Sequence, residues 1–114
     1  MIQQGDVYWG DFGKPQGRAL GYRRPYVVVQ GNGYNRSRIS TVIVCGVTSK
    51  VDKAAWPGNV RLKAGEANLN KESVVSVTQI QTVDREFLTQ KIGTLQPARV
   101  EEILRGIKLV LDAE

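Results

Sequence analysis

Two adjacent arginines and a threonine–serine pair are the residues of this chain whose types and spacing best suit chemistry. Arg23 and Arg24 precede Pro25 and an apolar run, and Thr48 and Ser49 follow a second apolar run. A guanidinium is a permanent cation whose planar fork of N–H groups matches phosphate oxygens, and a hydroxyl adds a donor or an acceptor. Together these groups could hold a phosphodiester and stabilise charge that develops on it.

The nucleophile for such a reaction need not come from the protein. RNA carries its own, the 2′-OH, so cleavage of RNA requires neither an attacking serine nor a metal-bound water. The chain contains no histidine, which excludes a His-based triad and nearly every zinc site, and we expect no metal or cofactor. Arginine with threonine is therefore chemically possible on RNA. The alternative is a surface ion pair at Arg24 and a strand-end hydroxyl at Thr48 that caps backbone.

The elements predicted around these residues could bring them together. Period-two and continuous apolar patterns predict strands, at 6–12, 26–30, 41–47, 60–63, 73–80 and 91–94. If the second and third strands are antiparallel neighbours, the start of one lies beside the end of the other. Arg24 and Thr48 then face one pocket, beneath the long loop 13–22.

The remaining segments predict turns, loops and one long helix. Residues 31–40 and 51–59 are rich in turn formers, and Asp84 is predicted to cap a short helical turn through Gln90. Pro97 suits the first position of the helix, whose apolar residues recur at three- and four-residue steps. The pattern predicts a single domain, 1–114, with a small barrel-like α+β fold that is mostly β.

The charge distribution suggests an anionic ligand. The net charge is +5; residues 1–63 hold ten Lys or Arg against three Asp or Glu, giving +7, whereas residues 64–114 hold six against eight, giving −2. A basic half favours a polyanion such as nucleic acid, and a solvated basic face without a partner is the alternative. Cys45, the single cysteine, is expected to be a small buried hydrophobe. With no membrane-length apolar run and no signal-peptide pattern at the start, we expect a cytoplasmic location and no membrane partner.

An ordered set of short motifs resembles the MazF/PemK toxins of bacterial toxin–antitoxin modules. The matching fragments are Gly5-Asp6-Val7-Tyr8-Trp9, Arg23-Arg24-Pro25 with Tyr26–Val29, Asn35-Arg36, Thr41–Val44 ending in Thr48-Ser49, Ser73-Val74-Val75, Gln79-Ile80, Thr82-Val83-Asp84 and Lys91-Ile92-Gly93. Each fragment is weak alone and the ordered set is specific.

The resemblance implies an SH3-like barrel of the CcdB/PemK type with a C-terminal helix. It implies a homodimeric toxin that is a metal-independent, sequence-specific endoribonuclease on single-stranded RNA, leaving 2′,3′-cyclic phosphate and 5′-OH ends. It also implies a cognate antitoxin that blocks the RNA groove with an acidic, mostly disordered tail.

The matched positions imply roles for individual residues. Arg24 aligns with the family's catalytic arginine and Thr48 with its catalytic threonine or serine. The expected RNA-binding residues are Arg23, Lys14, Arg18, Ser49 and Gln79.

Three departures from the family leave the general base open. Many members carry Ser-Glu where this chain has Arg18-Ala19, an acidic residue where it has Thr78, and an arginine where it has Gln81. Asp11 is a distant candidate for the base. Two other functions compete: a CcdB-like toxin that poisons DNA gyrase through its terminal helix, and a catalytically weak member that binds its antitoxin and regulates transcription.

Overall fold

The computed structural model describes residues 1–11 and 23–113. This part of the chain forms one antiparallel sheet, two α-helices and short 3-10 turns. The strands are β1 (Asp6–Asp11), β2 (Arg23–Val28), β3 (Thr41–Thr48), β4 (Val60–Leu62), β5 (Ser73–Asp84) and β6 (Leu88–Thr94). The helices are α1 (Asn32–Asn35) and α2 (Pro97–Val110), and the 3-10 turns are Val51–Ala55, Glu66–Asn68 and Arg85–Phe87.

The six strands form a curled sheet in the order β4-β5-β3-β2-β1-β6, with every pair antiparallel. β3 lies in the middle, as its nearly continuous apolar sequence predicts. The mostly-β α+β fold predicted from the sequence is confirmed.

Both faces of the sheet bury apolar side chains. Val27 on β2 and Cys45 on β3 belong to one cluster, which also includes Ile103 of α2. Val28 and Val44, one residue away on the same strands, belong to the other cluster. Successive side chains of a strand point to opposite faces, so each continuous apolar run fills both clusters.

Helix α2 packs against the segment before β4 by direct contact of backbone. A Cβ placed on Gly106 would lie 2.0 Å from the carbonyl oxygen of Gly58, which itself has a φ of +90°. Only glycine permits this approach at Gly106, and a left-handed backbone favours glycine at Gly58. The helix begins at Pro97 as predicted.

The second strand begins earlier than the sequence predicts. It starts at Arg23, not Tyr26, because β1 continues its pairing back to Asp11 opposite Arg23. β3 reaches β2 only from Tyr26 onwards, so Pro25 lies where β2 has a single described neighbour and its missing N–H is tolerated. Arg24 is therefore held within a strand rather than at the junction with a loop.

The turn predicted from Asp84 to Gln90 is present in shorter form, with Asp84 at its N-cap position, but the predicted side-chain cap is wrong. The Asp84 side chain makes no capping hydrogen bond, and the 3-10 turn covers only Arg85–Phe87. Leu88 is buried and pairs with Gly10 of β1, so tertiary pairing overrides the local turn signal and the last strand runs from Leu88 to Thr94. β5 likewise extends past the predicted Ile80 to Asp84, because residues 41–44 of β3 pair with residues 81–84.

The turn-rich segment 31–40 contains the short helix α1, which the sequence did not predict. Buried Asn35 donates to the Gln30 carbonyl at 2.8 Å and to Asn32 Oδ1 at 3.0 Å. Gln30 Nε2 donates back to Asn35 Oδ1 at 2.9 Å. The buried amides satisfy one another, as buried polar groups must, so Asn35 of the Asn35-Arg36 motif has a structural role.

Candidate active site

Arg24 and Thr48 lie across from each other on neighbouring strands. Tyr26 pairs with Gly46, the last described pair between β2 and β3, and continuing that register by two residues places Arg24 opposite Thr48. Both residues line one cavity of about 590 Å³, which we call the catalytic cavity. The predicted meeting of strand start and strand end is thus observed.

The catalytic cavity is strongly cationic. Its described lining carries five cationic side chains and no carboxylate: Arg23, Arg24, Lys50, Lys53 and Lys71. Its volume falls within the range of roughly 300–1,000 Å³ that is typical of ligand sites. Such a site favours an anionic group and disfavours a cation.

Arg24 is exposed and has no carboxylate partner among the described residues. Burial raises the pKa of Tyr26, and the positive charge of Arg24 acts on that pKa in the opposite direction. The guanidinium therefore lies within electrostatic range of the phenol, and no carboxylate of the described residues engages its donors. The alternative of a surface ion pair at Arg24 finds no partner within ranges 1–11 and 23–113.

Arg23 is oriented by two contacts. Its guanidinium carbon lies 4.8 Å from the centre of the Trp9 ring, and Nη2 donates to Gln90 Oε1 at 3.0 Å. Cation–π stacking and a hydrogen bond both restrict the side chain. The two arginines therefore differ. Arg23 is held by Trp9 and Gln90, whereas Arg24 forms no ion pair with a carboxylate of the described residues.

Thr48 caps the backbone at the end of β3 and also lines the cavity. Its Oγ1 accepts the Lys50 N–H at 3.2 Å, which is the backbone capping expected of a strand-end hydroxyl. A hydroxyl also has a proton to donate, so this bond leaves Thr48 able to donate into the cavity. Ser49 follows it on the same cavity wall.

Gln79 reaches the site through an irregularity in β5. Cys45 pairs with Ile80, whereas the next residue of β3, Gly46, pairs with Ser76. Three extra residues, 77–79, therefore bulge from β5, and bulges re-aim side chains. The Gln79 side chain then crosses Gly46, where an added Cβ would lie 2.6 Å from Gln79 Oε1.

Asn59 joins this bulge to the segment 51–59. Its Oδ1 accepts the Val77 N–H at 2.9 Å, and its Nδ2 donates to the Lys53 carbonyl at 3.0 Å. Since the bulge interrupts the ladder between β3 and β5, the Val77 N–H needs a partner outside it. One side-chain amide thereby couples the wall that carries Lys53 to the wall that carries Gln79.

Part of the cavity comes from residues that sequence reasoning did not assign. Lys50 and Lys53 follow Thr48 closely in the chain, so the basic loop after the strand was the available signal. Asn68, Asn70 and Lys71 form a further wall, and no sequence pattern links them to Arg24. Folding alone brings that wall to the site.

The wall 68–71 is held in place by α2 and β6. Arg99 of α2 donates to both carboxylate oxygens of Glu66, at 2.9 Å each, and these bonds lower the Glu66 pKa. Asn68 donates to the Ile92 carbonyl at 3.0 Å. Ala67 and Asn68 have φ of 50° and 61°, a left-handed backbone uncommon outside glycine.

Other predicted residues fall outside this geometry. Lys14, Arg18 and Ala19 lie outside the described residues. Thr78 is exposed, with Oγ1 3.4 Å from Ser76 Oγ. Asp11 lies opposite Arg23 in the backbone register of β1 and β2, and it is not among the described residues that line the cavity.

Neither the cysteine nor any acidic cluster among the described residues offers a further reactive centre. Cys45 is buried, and burial raises its thiol pKa to about 12. Within the ranges described, His, Cys, Asp and Glu form no group of three or more that could hold a metal ion. None of the described helices combines the length and apolarity needed to cross a membrane.

The fold and the site together define a small domain with a curled six-stranded sheet and a basic cavity, and comparison with known families identifies its class. Residues 3–111 match the family model of the PemK-like, MazF-like toxins of type II toxin–antitoxin systems. The chain therefore belongs to this family, as its ordered motifs predicted.

Two relatives cover nearly the whole chain. Endoribonuclease MazF6 of Mycobacterium tuberculosis is 41% identical over 112 residues, which are 98% of this chain and 98% of the relative. Endoribonuclease MazF of Staphylococcus saprophyticus is 33% identical over 111 residues, which are 97% of this chain and 92% of the relative.

Solved structures support the same fold. The M. tuberculosis toxin MazF-mt6 matches with a TM-score of 0.77 at 21% identity, over 96% of this chain and 98% of that one. The MazE-MazF (Form-II) structure from Deinococcus radiodurans matches with a TM-score of 0.80 at 20% identity, over 99% and 97%. A mycobacterial endoribonuclease in complex with its cognate antitoxin matches with a TM-score of 0.76 at 20% identity, over 99% and 95%.

Proposed function

We propose that this toxin is an endoribonuclease that cleaves single-stranded RNA by attack of the 2′-OH on the adjacent phosphate, without a metal ion, and acts as a single domain in the cytoplasm. Endoribonuclease is the enzyme class that the relatives' names carry. The observation that carries the proposal is the meeting of Arg24 and Thr48 in a cavity whose described lining is cationic and without carboxylates. Mg²⁺ prefers carboxylate and other oxygen ligands, so this lining suits direct binding of phosphate by the protein.

The chemistry divides between substrate and protein. The 2′-oxygen forms a bond to phosphorus as the bond from phosphorus to the 5′-oxygen breaks, leaving a 2′,3′-cyclic phosphate and a 5′-OH. Arg24 donates to the non-bridging oxygens, on which charge grows in the transition state. The Thr48 hydroxyl donates to the same phosphate and orients it.

The proton of the 2′-OH passes to solvent hydroxide in this scheme, and the 5′-oxygen takes its proton from water. The described cavity lining contains no carboxylate or imidazole, and residues 12–22 contain no Asp, Glu or His. The departures from the family at Ala19 and Thr78 agree with a mechanism that rests on electrostatic stabilisation.

RNA binding is assigned to residues around the reacting phosphate. Arg23, stacked on Trp9, would hold a neighbouring phosphate or base, while Ser49 and Gln79 would hydrogen-bond the strand. Lys14 and Arg18 retain the same proposed role from their place in the sequence. Single-stranded RNA suits such a site because its unpaired bases can turn into it.

The test is incubation of purified protein with a long single-stranded RNA in EDTA, followed by end-group analysis. We expect discrete fragments ending in 2′,3′-cyclic phosphate and 5′-OH. Arg24→Ala should lower the rate about 10²–10³-fold, as loss of a transition-state donor does, and Thr48→Val should lower it less. Arg38→Ala is the matched control, because Arg38 is exposed and precedes β3 at the end opposite Thr48.

Two outcomes would overturn this assignment. Full cleavage by Arg24→Ala would remove Arg24 from catalysis. Intact RNA from folded wild-type protein would favour the gyrase-directed or regulatory alternatives.

We also propose that the chain forms a homodimer and that an acidic segment of a cognate antitoxin occupies the catalytic cavity. The five cations of the cavity support the second statement, as does the antitoxin complex of the structural relative. Light scattering should give twice the chain mass. Co-expressed cognate antitoxin should abolish cleavage, and added salt should weaken the complex.

A further inference from the structure

Arg24 lies between two cavities rather than at the end of one. Beside the catalytic cavity is a second cavity of about 420 Å³, which we call the side cavity. Three residues line both: Arg24, Val47 and Gln79. A phosphate bound at Arg24 would therefore have room for substrate on each side.

The two cavities differ in charge. Apart from Arg24, the described lining of the side cavity is uncharged: it consists of apolar or backbone surface from Gly46, Val47 and Ile80, the Tyr26 ring and two amides. The catalytic cavity has four further cations. Phosphates of the strand are drawn to the cationic side, whereas a flat, neutral base with polar edges suits the side cavity.

Gln81 is the group in the side cavity that is suited to reading such a base. Gln81 pairs with Val44 of β3, and the Gln79 side chain crosses Gly46. Because Val44 and Gly46 are two residues apart on β3 and so face the same side of the sheet, the two glutamine side chains lie on that side together. Gln81 is half-buried, and its side-chain amide makes no hydrogen bond with another residue in the described ranges. An amide offers both donor and acceptor, the combination that discriminates between bases.

We propose that the side cavity binds the nucleobase next to the scissile phosphate and that Gln81 determines which base is accepted there. The proposal rests on the proposed ribonuclease function and extends it to specificity. Gln81 is neutral, so it would select a base through the hydrogen bonds of its side-chain amide and not through charge.

The experiment uses an RNA library randomised over the positions around the cut, digested by wild type, Gln81→Leu and Gln81→Glu. We expect wild type to prefer one base at one position beside the cut, and both variants to change the preference at that same position about fivefold to a hundredfold. Preferences at the other positions should stay within about twofold. Gln96→Leu is the matched control, because Gln96 is an exposed glutamine that precedes α2 outside both cavities.

The outcomes separate this inference from the ribonuclease proposal. If the wild-type protein leaves the library intact, the ribonuclease proposal itself is refuted. Cleavage by wild type with unchanged preferences in both Gln81 variants overturns only the inference. A uniform loss at all positions, or a changed oligomeric mass by light scattering, would assign Gln81 to folding or to contact between copies and would also overturn it.

Discussion

Alanine at Gly46 tests whether the bulge of β5 aims Gln79 at the substrate. An added Cβ would lie 2.6 Å from Gln79 Oε1, so the amide must move by several tenths of an ångström. The obstructing atom is the end of a flexible side chain, and the backbone of Gly46 needs no left-handed φ. The free energy of unfolding should therefore change by no more than about 1 kcal/mol, since alanine also restricts the unfolded chain.

The functional loss follows from the hydrogen bonds of the displaced amide. One such bond contributes about 0.5–1.5 kcal/mol, so kcat/KM on a fluorogenic single-stranded RNA should fall about twofold to tenfold. In a Gln79→Ala background the clash is absent, and the contact to Gln79 Cβ is an ordinary 3.5 Å. Adding Gly46→Ala to Gln79→Ala should then cost nothing more.

Two results would refute this reasoning. One is wild-type cleavage by Gly46→Ala with an unchanged unfolding midpoint in urea. The other is a double variant whose loss is the sum of the two single losses, because independent sites add and coupled sites do not.

Four further outcomes follow from the same structure. Gly106→Ala should lower the free energy of unfolding by about 1–3 kcal/mol in urea titration, because the added Cβ meets backbone. Gly33→Ala is the control: it has open space around it and should be neutral or stabilising. Equal effects of the two substitutions would contradict the described packing of Gly106. Arg99→Ala should cost about 1–2 kcal/mol at pH 7. Because the folded state lowers the Glu66 pKa, that loss should be constant above the unfolded value of about 4.3 and shrink as pH falls below it; a pH-independent loss in urea titrations from pH 3 to 7 would contradict the pair. Cys45 should react with a thiol reagent only on unfolding, since its pKa is about 12, and rapid labelling of the native protein would contradict its burial. The cleavage rate should rise with pH from 5 to 8 without the plateau that an acidic general base would give; an apparent pKa between 4 and 7 would point to such a base.

The sequence alone could predict that Arg24 and Thr48 meet, because this follows from the pairing of two neighbouring strands. Arg24 and Thr48 each lie two residues beyond a β2–β3 pair, so the assumption of antiparallel neighbours was enough to bring them together. Apolar patterning predicted the six strands, because burial on a sheet leaves a clear period in the sequence. Pro97, which suits a first helical position, predicted the start of α2.

The rest depended on contacts distant in the chain. The turn predicted from Asp84 to Gln90 ends at Phe87, and β6 replaces its second half because Leu88 gains burial and a partner in β1. The wall that includes Asn68 and Lys71 reaches the cavity through Arg99 and Ile92, which lie more than twenty residues away. The three-residue bulge that places Gln79 leaves no pattern in the sequence at all.

The two hydrogen bonds of Asn59 couple the stability of segment 51–59 to that of the bulge in β5. The Val77 N–H is shielded by an oxygen that belongs to the loop, not by the neighbouring strand. Lifting segment 51–59 away would expose that amide to hydrogen exchange and loosen the bulge under Gln79 in the same event. We therefore expect the wall that carries Lys53 and the wall that carries Gln79 to open in a single local unfolding step, whose free energy the exchange rate of the Val77 amide would report.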